Sequence, residues 1–356
     1  MQTLSETLKA QTTSRLDSQS LAFTKMHGLG NDFVMVSIED LLAIPSFIDA
    51  VKEGINPLPA LSRGICDRNF GIGADGLIVG FQLKDKPTIA ADIFKTLGAE
   101  YVIGTKCDIG WTYTNSDGSP SAMCGNGLRC LGLWAFRKEL VASNRILVST
   151  KAGVQEILVE DESKITVDMG KPILQTDLIP LCGPTRASFV QGEINSTDFQ
   201  FKATCVSMGN PHVVIFDAPQ ALESLNQNKF SESLLSLSVK VQEHSLFPEG
   251  VNVEWCRAVS RDEVHALIYE RGCGATLACA SGAAAVVVAA SLEGRIERQA
   301  KVRLPGGFLT IDWAKADDHV HMTGPAATVF TGSIDAIDID GYIHGGKSVT
   351  KEIYCS

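Results

Sequence analysis

Cys124-Gly125-Asn126-Gly127 stands directly before residues Leu128–Leu140, where Leu128, Leu131, Trp134 and Leu140 recur at near-helical spacing. Cys279-Ala280-Ser281-Gly282 runs in the same way into Gly282–Leu292, a stretch apolar nearly all round. A helix of that kind is buried on every side. Cys-x-x-Gly opening a helix therefore occurs once in each half of the chain. A second feature also recurs. Gly30-Asn31 lies between the predicted strands Phe23–Met26 and Phe33–Ile38, and Gly209-Asn210 lies between Cys205–Met208 and Val213–Phe216. The competing reading is coincidence among common turn residues. The common order of the two features points instead to a duplicated domain, its copies facing each other across a cleft.

Further strands are expected at Leu77–Phe81, Trp111–Thr114, Ile146–Thr150, Val251–Arg257 and Val264–Tyr269, with a hairpin of Ile157–Val159 and Ile165–Met169. The chain has 356 residues, 45% hydrophobic and 20% charged, which suits two cores. A net charge of −10 argues against a nucleic-acid partner, which needs a basic face. The best apolar run, Ala275–Ala290, is interrupted by Thr276, Ser281 and Gly282, so no membrane span is expected. No basic segment precedes an apolar run near residue 1, and the expected setting is the cytoplasm. Residues 1–20 read as a mobile tail; Glu6 and Asp17 argue against a transit peptide.

Ten cysteines include no Cys-x-x-Cys pair, so the usual zinc and redox spacings are absent. Cys66, Cys107, Cys205 and Cys256 lie in or beside apparent strands and read as small buried hydrophobes. Cys124 and Cys279 differ. A thiol at a helix N-terminus meets unpaired N–H groups and the positive end of the helix dipole. Two such thiols, one from each half, meet the demand of racemisation: one base removes an α-proton and a second group delivers one to the other face. Asn31, Asn115, Asn126, Asn210 and Asn252 fall in or near turns and can grip ammonium or carboxylate groups. His212 and Glu270 could relay protons, and Arg271 could hold a carboxylate.

Lys25–Phe33, Asp67–Asp75, Asn115–Gly118 and Met123–Gly127 resemble the first-half motifs of the diaminopimelate epimerase family. Met208–His212, Gly250–Asn252, Glu270–Gly272 and Ala278-Cys279 resemble those of its second half, and Leu304–Gly307 and Met322–Pro325 its closing segments. The resemblance covers about Phe23 to Gly332. It implies an α/β (α+β) fold of two pseudo-symmetric domains, residues 21–170 and 171–329, each a curved mixed sheet around a central helix. Residues from about 330 to 356 would return to the first domain. The active site would lie in the interdomain cleft.

The implied activity is interconversion of L,L- and meso-diaminopimelate without pyridoxal phosphate or a metal, in a chain that could form a homodimer. Cys124 and Cys279 would be the two thiols, tuned by His212 and Glu270. Asn31, Gly125 and Asn126 would contact substrate from the first half. Asn115, Asn210, Asn252 and Arg271 would grip its distal end, and Ala280 and Ser281 would present N–H groups to the reacting carboxylate. Gly76 and Ala275 stand where many members have Gln and Glu, and Ala280 where Gly is usual; the first two bear on substrate preference. The alternative is a racemase of the same fold acting on another amino acid, such as histidine.

Overall fold

The computed structural model describes residues 20–83, 91–104 and 106–344. The tail expected over residues 1–20 lies outside them except for Ser20. In the first half, β1 (Ser20–Gly28) and β2 (Asn31–Ser37) form a hairpin, followed by helices α1 (Ile38–Leu42), α2 (Pro45–Lys52) and α3 (Leu58–Cys66). Then come β3 (Gly76–Gln82), α4 (Ala91–Thr96), β4 (Ile109–Asn115), the two-residue β5 (Pro120–Ser121) and α5 (Gly125–Arg137). β6 (Arg145–Thr150), β7 (Gly153–Asp161) and β8 (Lys164–Asp168) close this half.

The second half repeats the scheme. β9 (Phe189–Asn195), β10 (Gln200–Ser207) and β11 (Pro211–Phe216) precede α6 (Leu222–Gln227) and α7 (Glu232–Gln242). β12 (Asn252–Ala258), β13 (Glu263–Glu270) and β14 (Gly274–Ala275) lead to α8 (Ala280–Leu292), followed by β15 (Gln299–Leu304), β16 (Gly307–Trp313) and β17 (Val320–Gly324). β18 (Ala327–Asp335) and α9 (Ala336–Ile343) end the described chain.

Strand pairing shows the duplication. β1–β2 is antiparallel, β2–β3 parallel, β3–β4 antiparallel, β4–β6 parallel, and β6–β7 and β7–β8 antiparallel. The series β10–β11, β11–β12, β12–β13, β13–β15, β15–β16 and β16–β17 has the same order and sense. β8 and β17 pair antiparallel and join both series into one 18-stranded sheet. At that seam Thr166 faces Thr323, with 2.8 Å between their hydroxyls. The outermost strands differ: β9 pairs with its neighbour in sequence, β10, whereas β18 follows the second series and crosses to pair with β1 of the first half.

Each series surrounds one helix, and strand alternation sorts side chains between two layers. Phe33 and Met35 of β2 belong to the core around α5, whereas Val34 and Val36 belong to the core under the outer helices. In the second half Val214, Phe216 and Cys256 face α8, and Val213, Ile215 and Trp255 face outward. Ala336 and Ile339 of α9 complete the outer core of the first half.

α8 explains how a helix fits inside so tight a sheet. Every residue from Gly282 to Ala290 is buried, and most are alanine, the best helix former and a small one. Strands can approach it from all round. Val286, Val287 and Val288 each contribute roughly 2 kcal/mol of apolar burial. A Cβ on Gly282 would stand 2.7 Å from Ile268 Cδ1, so only glycine lets the first turn of α8 lie so close to β13. Among the described residues no helix is long and apolar enough to cross a membrane.

Candidate active site

α5 begins at Gly125, three residues before the expected start, because Cys124 is its N-cap: extended backbone, with Sγ accepting from the Gly127 N–H at 3.4 Å. α8 begins after Cys279, also extended, in the equivalent position. The two helices point their N-termini at one another. A Cβ added to Gly125 would lie 2.6 Å from Ala280 Cβ. Both thiols therefore open onto one cavity of about 520 Å³ at the junction of the halves, within the usual range for small-molecule sites.

The first-half wall is built from a hairpin. Leu29 (φ 57°) and Gly30 (φ 88°) form its turn, both left-handed as a two-residue hairpin loop requires. Asn31 follows at the start of β2. Its Nδ2 donates to Asp75 Oδ2 at 2.7 Å, which leaves Oδ1 to accept from Asn126 Nδ2 at 3.1 Å and to lie 3.8 Å from Cys124 Sγ. Asp75 and Asp32 are clamped in turn by Arg68. Burial alone would raise the Asp32 carboxyl, but hydrogen bonds from Arg68 and Lys25 outweigh it and hold the group at about 2. Asn126 also reaches across the junction, donating to the Ala278 carbonyl at 2.9 Å.

On the other wall, Cys279 Sγ donates to Glu270 Oε2 at 3.0 Å, and Thr276 Oγ1 donates to Glu270 Oε1 at 2.6 Å. The Ser281 hydroxyl is 3.5 Å from the same sulfur. The two thiols are thus placed differently. Cys124 receives a backbone donor, and Cys279 faces a carboxylate acceptor.

Nine of the residues picked from the sequence line this cavity: Asn31, Cys124, Gly125, Asn126, Asn210, Glu270, Cys279, Ala280 and Ser281. Four do not line it. Asn115 Nδ2 donates to Ser119. Both ends of the Asn252 amide are used on backbone, donating to Pro211 O and accepting from Arg271 N. The Arg271 guanidinium donates to Glu249 O. His212 differs from expectation: its ring bonds Asn210 and Glu254, not a thiol, because its place on β11 puts it beneath α8. Sequence reading passed over Gln155 and Lys171, which also line the cavity and lie in no recognisable motif. It also passed over Asp75 as the partner of Asn31, and Glu254.

Burial pushes the Cys124 thiol up to about 11; the Gly127 N–H opposes this and the charge of Glu270 adds to it. Cys279 is pushed well above the usual thiol range, again by burial and then by Glu270. Both groups therefore keep their protons at neutral pH in the free protein. Alkylation of Cys124 by iodoacetamide, followed in Cys279→Ala protein, should rise with pH to a midpoint near 11. A midpoint at or below 9, the ordinary thiol value, would contradict this burial argument.

Known proteins similar to this chain identify its family. The family model described as diaminopimelate epimerase matches residues 23–175 and 204–329. The chain belongs to the diaminopimelate epimerase family. A diaminopimelate epimerase of Methanococcus maripaludis is 35% identical, covering 88% of this chain and all of that one. One from Heliobacterium modesticaldum is 38% identical over 88% and 99% of the two chains. A chloroplastic diaminopimelate epimerase of Oryza sativa subsp. japonica is 39% identical over 90% and 81%. Among solved structures, a hydroxyproline epimerase from Agrobacterium vitis superimposes with a TM-score of 0.58 at 12% identity, over 89% and 93% of the two chains. A PhzF-family phenazine biosynthesis protein from Bacillus anthracis gives 0.56 at 10%, over 89% and 99%. These last two share the fold, which extends beyond diaminopimelate epimerases.

Proposed function

We propose that this chain interconverts L,L- and meso-2,6-diaminopimelate, an amino-acid isomerisation that serves lysine and peptidoglycan precursor synthesis. The observation that carries the reading is the pair Cys124 and Cys279 on opposite walls of one cavity, each capping a helix, with Glu270 bonded to one of them. Glu270 takes the proton of Cys279. The resulting thiolate removes the α-proton, and the Cys124 thiol delivers its own proton to the opposite face. In the reverse direction the Cys124 thiolate, stabilised by the Gly127 N–H, abstracts and Cys279 delivers. Negative charge developing on the substrate carboxylate meets the N–H groups of Ala280 and Ser281 and of Gly125 and Asn126. Asn31 holds the near end, and Asn210 reaches from the cavity wall toward the distal end. Arg271, exposed and next in sequence to Glu270, takes the distal carboxylate, its backbone N–H held by the Asn252 amide oxygen.

Residues 21–170 and 171–329 act as the two domains, and a homodimer is the proposed assembly, with edge strand β18 and its exposed Val329 and Phe330 as the surface offered. The nine cysteines of the described residues are all free thiols, in keeping with a reducing cytoplasm. In D2O, L,L-diaminopimelate should gain deuterium at one α-carbon and invert there. A panel including histidine gives the contrast. If diaminopimelate neither exchanges nor inverts with folded protein, the assignment fails.

A further inference from the structure

Beneath the first turn of α8 lie two titratable groups that touch neither thiol. His212 and Glu254 stand on the parallel strands β11 and β12, where His212 is opposite Asn252 and Val214 opposite Glu254. Both side chains are 0% exposed. His212 Nδ1 lies 2.6 Å from Glu254 Oε1, and Nε2 lies 3.0 Å from Asn210 Oδ1. Among the described residues the other carboxyl oxygen, Glu254 Oε2, has no partner. A Cβ on Gly282 would be 3.2 Å from Glu254 Oε1, so the first turn of α8 forms the roof of the enclosure.

Counting protons constrains this pair. A neutral imidazole beside a carboxylate would leave one net negative charge fully buried, which is strongly disfavoured. One more proton makes the pair neutral, either as imidazolium with carboxylate or as imidazole with carboxylic acid. Burial raises the Glu254 carboxyl, with His212 opposing, in the same sense. A proton on Glu254 Oε2 would have no acceptor among the described residues, so in both neutral forms one hydrogen lies between Nδ1 and Oε1, and Nε2 carries another. The atom of Asn210 that faces Nε2 must then be its oxygen. The two ends of an amide are nearly the same size, so this hydrogen count is what decides between them. Asn210 lines the cavity, and its NH2 is the end left for whatever binds there.

We infer that Glu254 is a positioning residue: acting through His212, it turns the Asn210 amide so that its NH2 donates to a substrate carboxylate in the cleft. The inference rests on reading the cavity as an amino-acid site. Without Glu254 the ring is free to be neutral at Nε2, and the amide can turn its acceptor toward an anionic substrate.

Two measurements on the full chain test it. The first is 15N NMR of histidine-labelled protein, with the ring of His212 assigned by its loss in His212→Gln. It reads the ring without substrate. Nε2 should be protonated in the wild type at neutral pH; an unprotonated Nε2 overturns the inference whether or not diaminopimelate is inverted. The second is a kinetic cycle. Glu254→Leu should raise KM for L,L-diaminopimelate by about tenfold, the worth of one hydrogen bond to a charged group. Its kcat should fall less than about threefold, and Asn210→Ala added to it should change KM by less than about twofold. Multiplying effects would mean that the two residues act independently, and would overturn the inference. Should Glu254→Leu not fold, Glu254→Gln keeps the side-chain volume while relaxing the proton count, and is read in the same cycle. A protonated Nε2 in a protein that never inverts diaminopimelate would reject the substrate and leave the amide orientation standing.

Discussion

Cys279→Ala should abolish measurable inversion of diaminopimelate, with kcat falling by at least about 1000-fold, and Cys124→Ala should do the same. Inversion needs a base on one face of the α-carbon and an acid on the other. The cavity offers one thiol from each helix N-terminus. The remaining thiol should still exchange. With Cys279 intact beside Glu270, the α-proton can leave to sulfur, trade with solvent and return as deuterium to the same face. Each alanine variant should therefore lose inversion more severely than it loses α-hydrogen exchange in D2O. The measurement is chiral separation of products alongside mass-detected deuterium. Inversion within about tenfold of wild type in either variant would exclude the two-thiol mechanism.

The parts of the fold legible in the sequence were those with a local cause. The helices after Cys124 and Cys279 follow from apolar spacing, and the hairpins from Gly-Asn turns. The start of α5 was misplaced because Gly125, Asn126 and Gly127 are poor helix formers. Here the Cys124 cap and the Asn126 bond to Ala278 in the other half outweigh that weakness. The return of β18 to the first half had no local sign. β18 is exposed along most of its length, so it lacks the alternation that marks a half-buried strand. Helices α1 to α3 and α7 were not assigned from the sequence, although Pro45 and Ser231 stand at their starts as helix-opening residues. Both thiols, Glu270 and Asn31 were found through motifs. Glu254 left a physical clue that went unread: a carboxylate in Val251–Arg257, in step with the inward-facing Cys256. A charge at an inward strand position needs a buried partner, and His212 provides it.

The contact between Gly125 and Ala280 leads to a second large effect. These residues are equivalent in the two halves, each the first after its thiol. Their closeness sets how far apart the two sulfurs stand. A Cβ at Gly125 would be 2.6 Å from Ala280 Cβ, closer than carbon atoms pack, and 3.2 Å from Met169 Sδ and from Met322 Cε. The methionines can move aside. The Ala280 methyl group cannot, because α8 is enclosed by sheet. Gly125→Ala should push the helix N-termini apart at a cost of about 1–3 kcal/mol in stability. The displacement falls on the reacting geometry, where a shift near 1 Å lowers kcat by about 100-fold. Ala280→Gly alone should leave kcat within about threefold, since only backbone N–H groups are asked of that position. Combined with Gly125→Ala, it removes the colliding methyl group and should restore most of the lost rate. Kinetics and thermal melts of the two single variants and the double variant decide the point. If the double variant is no faster than Gly125→Ala, the spacing of the thiols is not set by this contact.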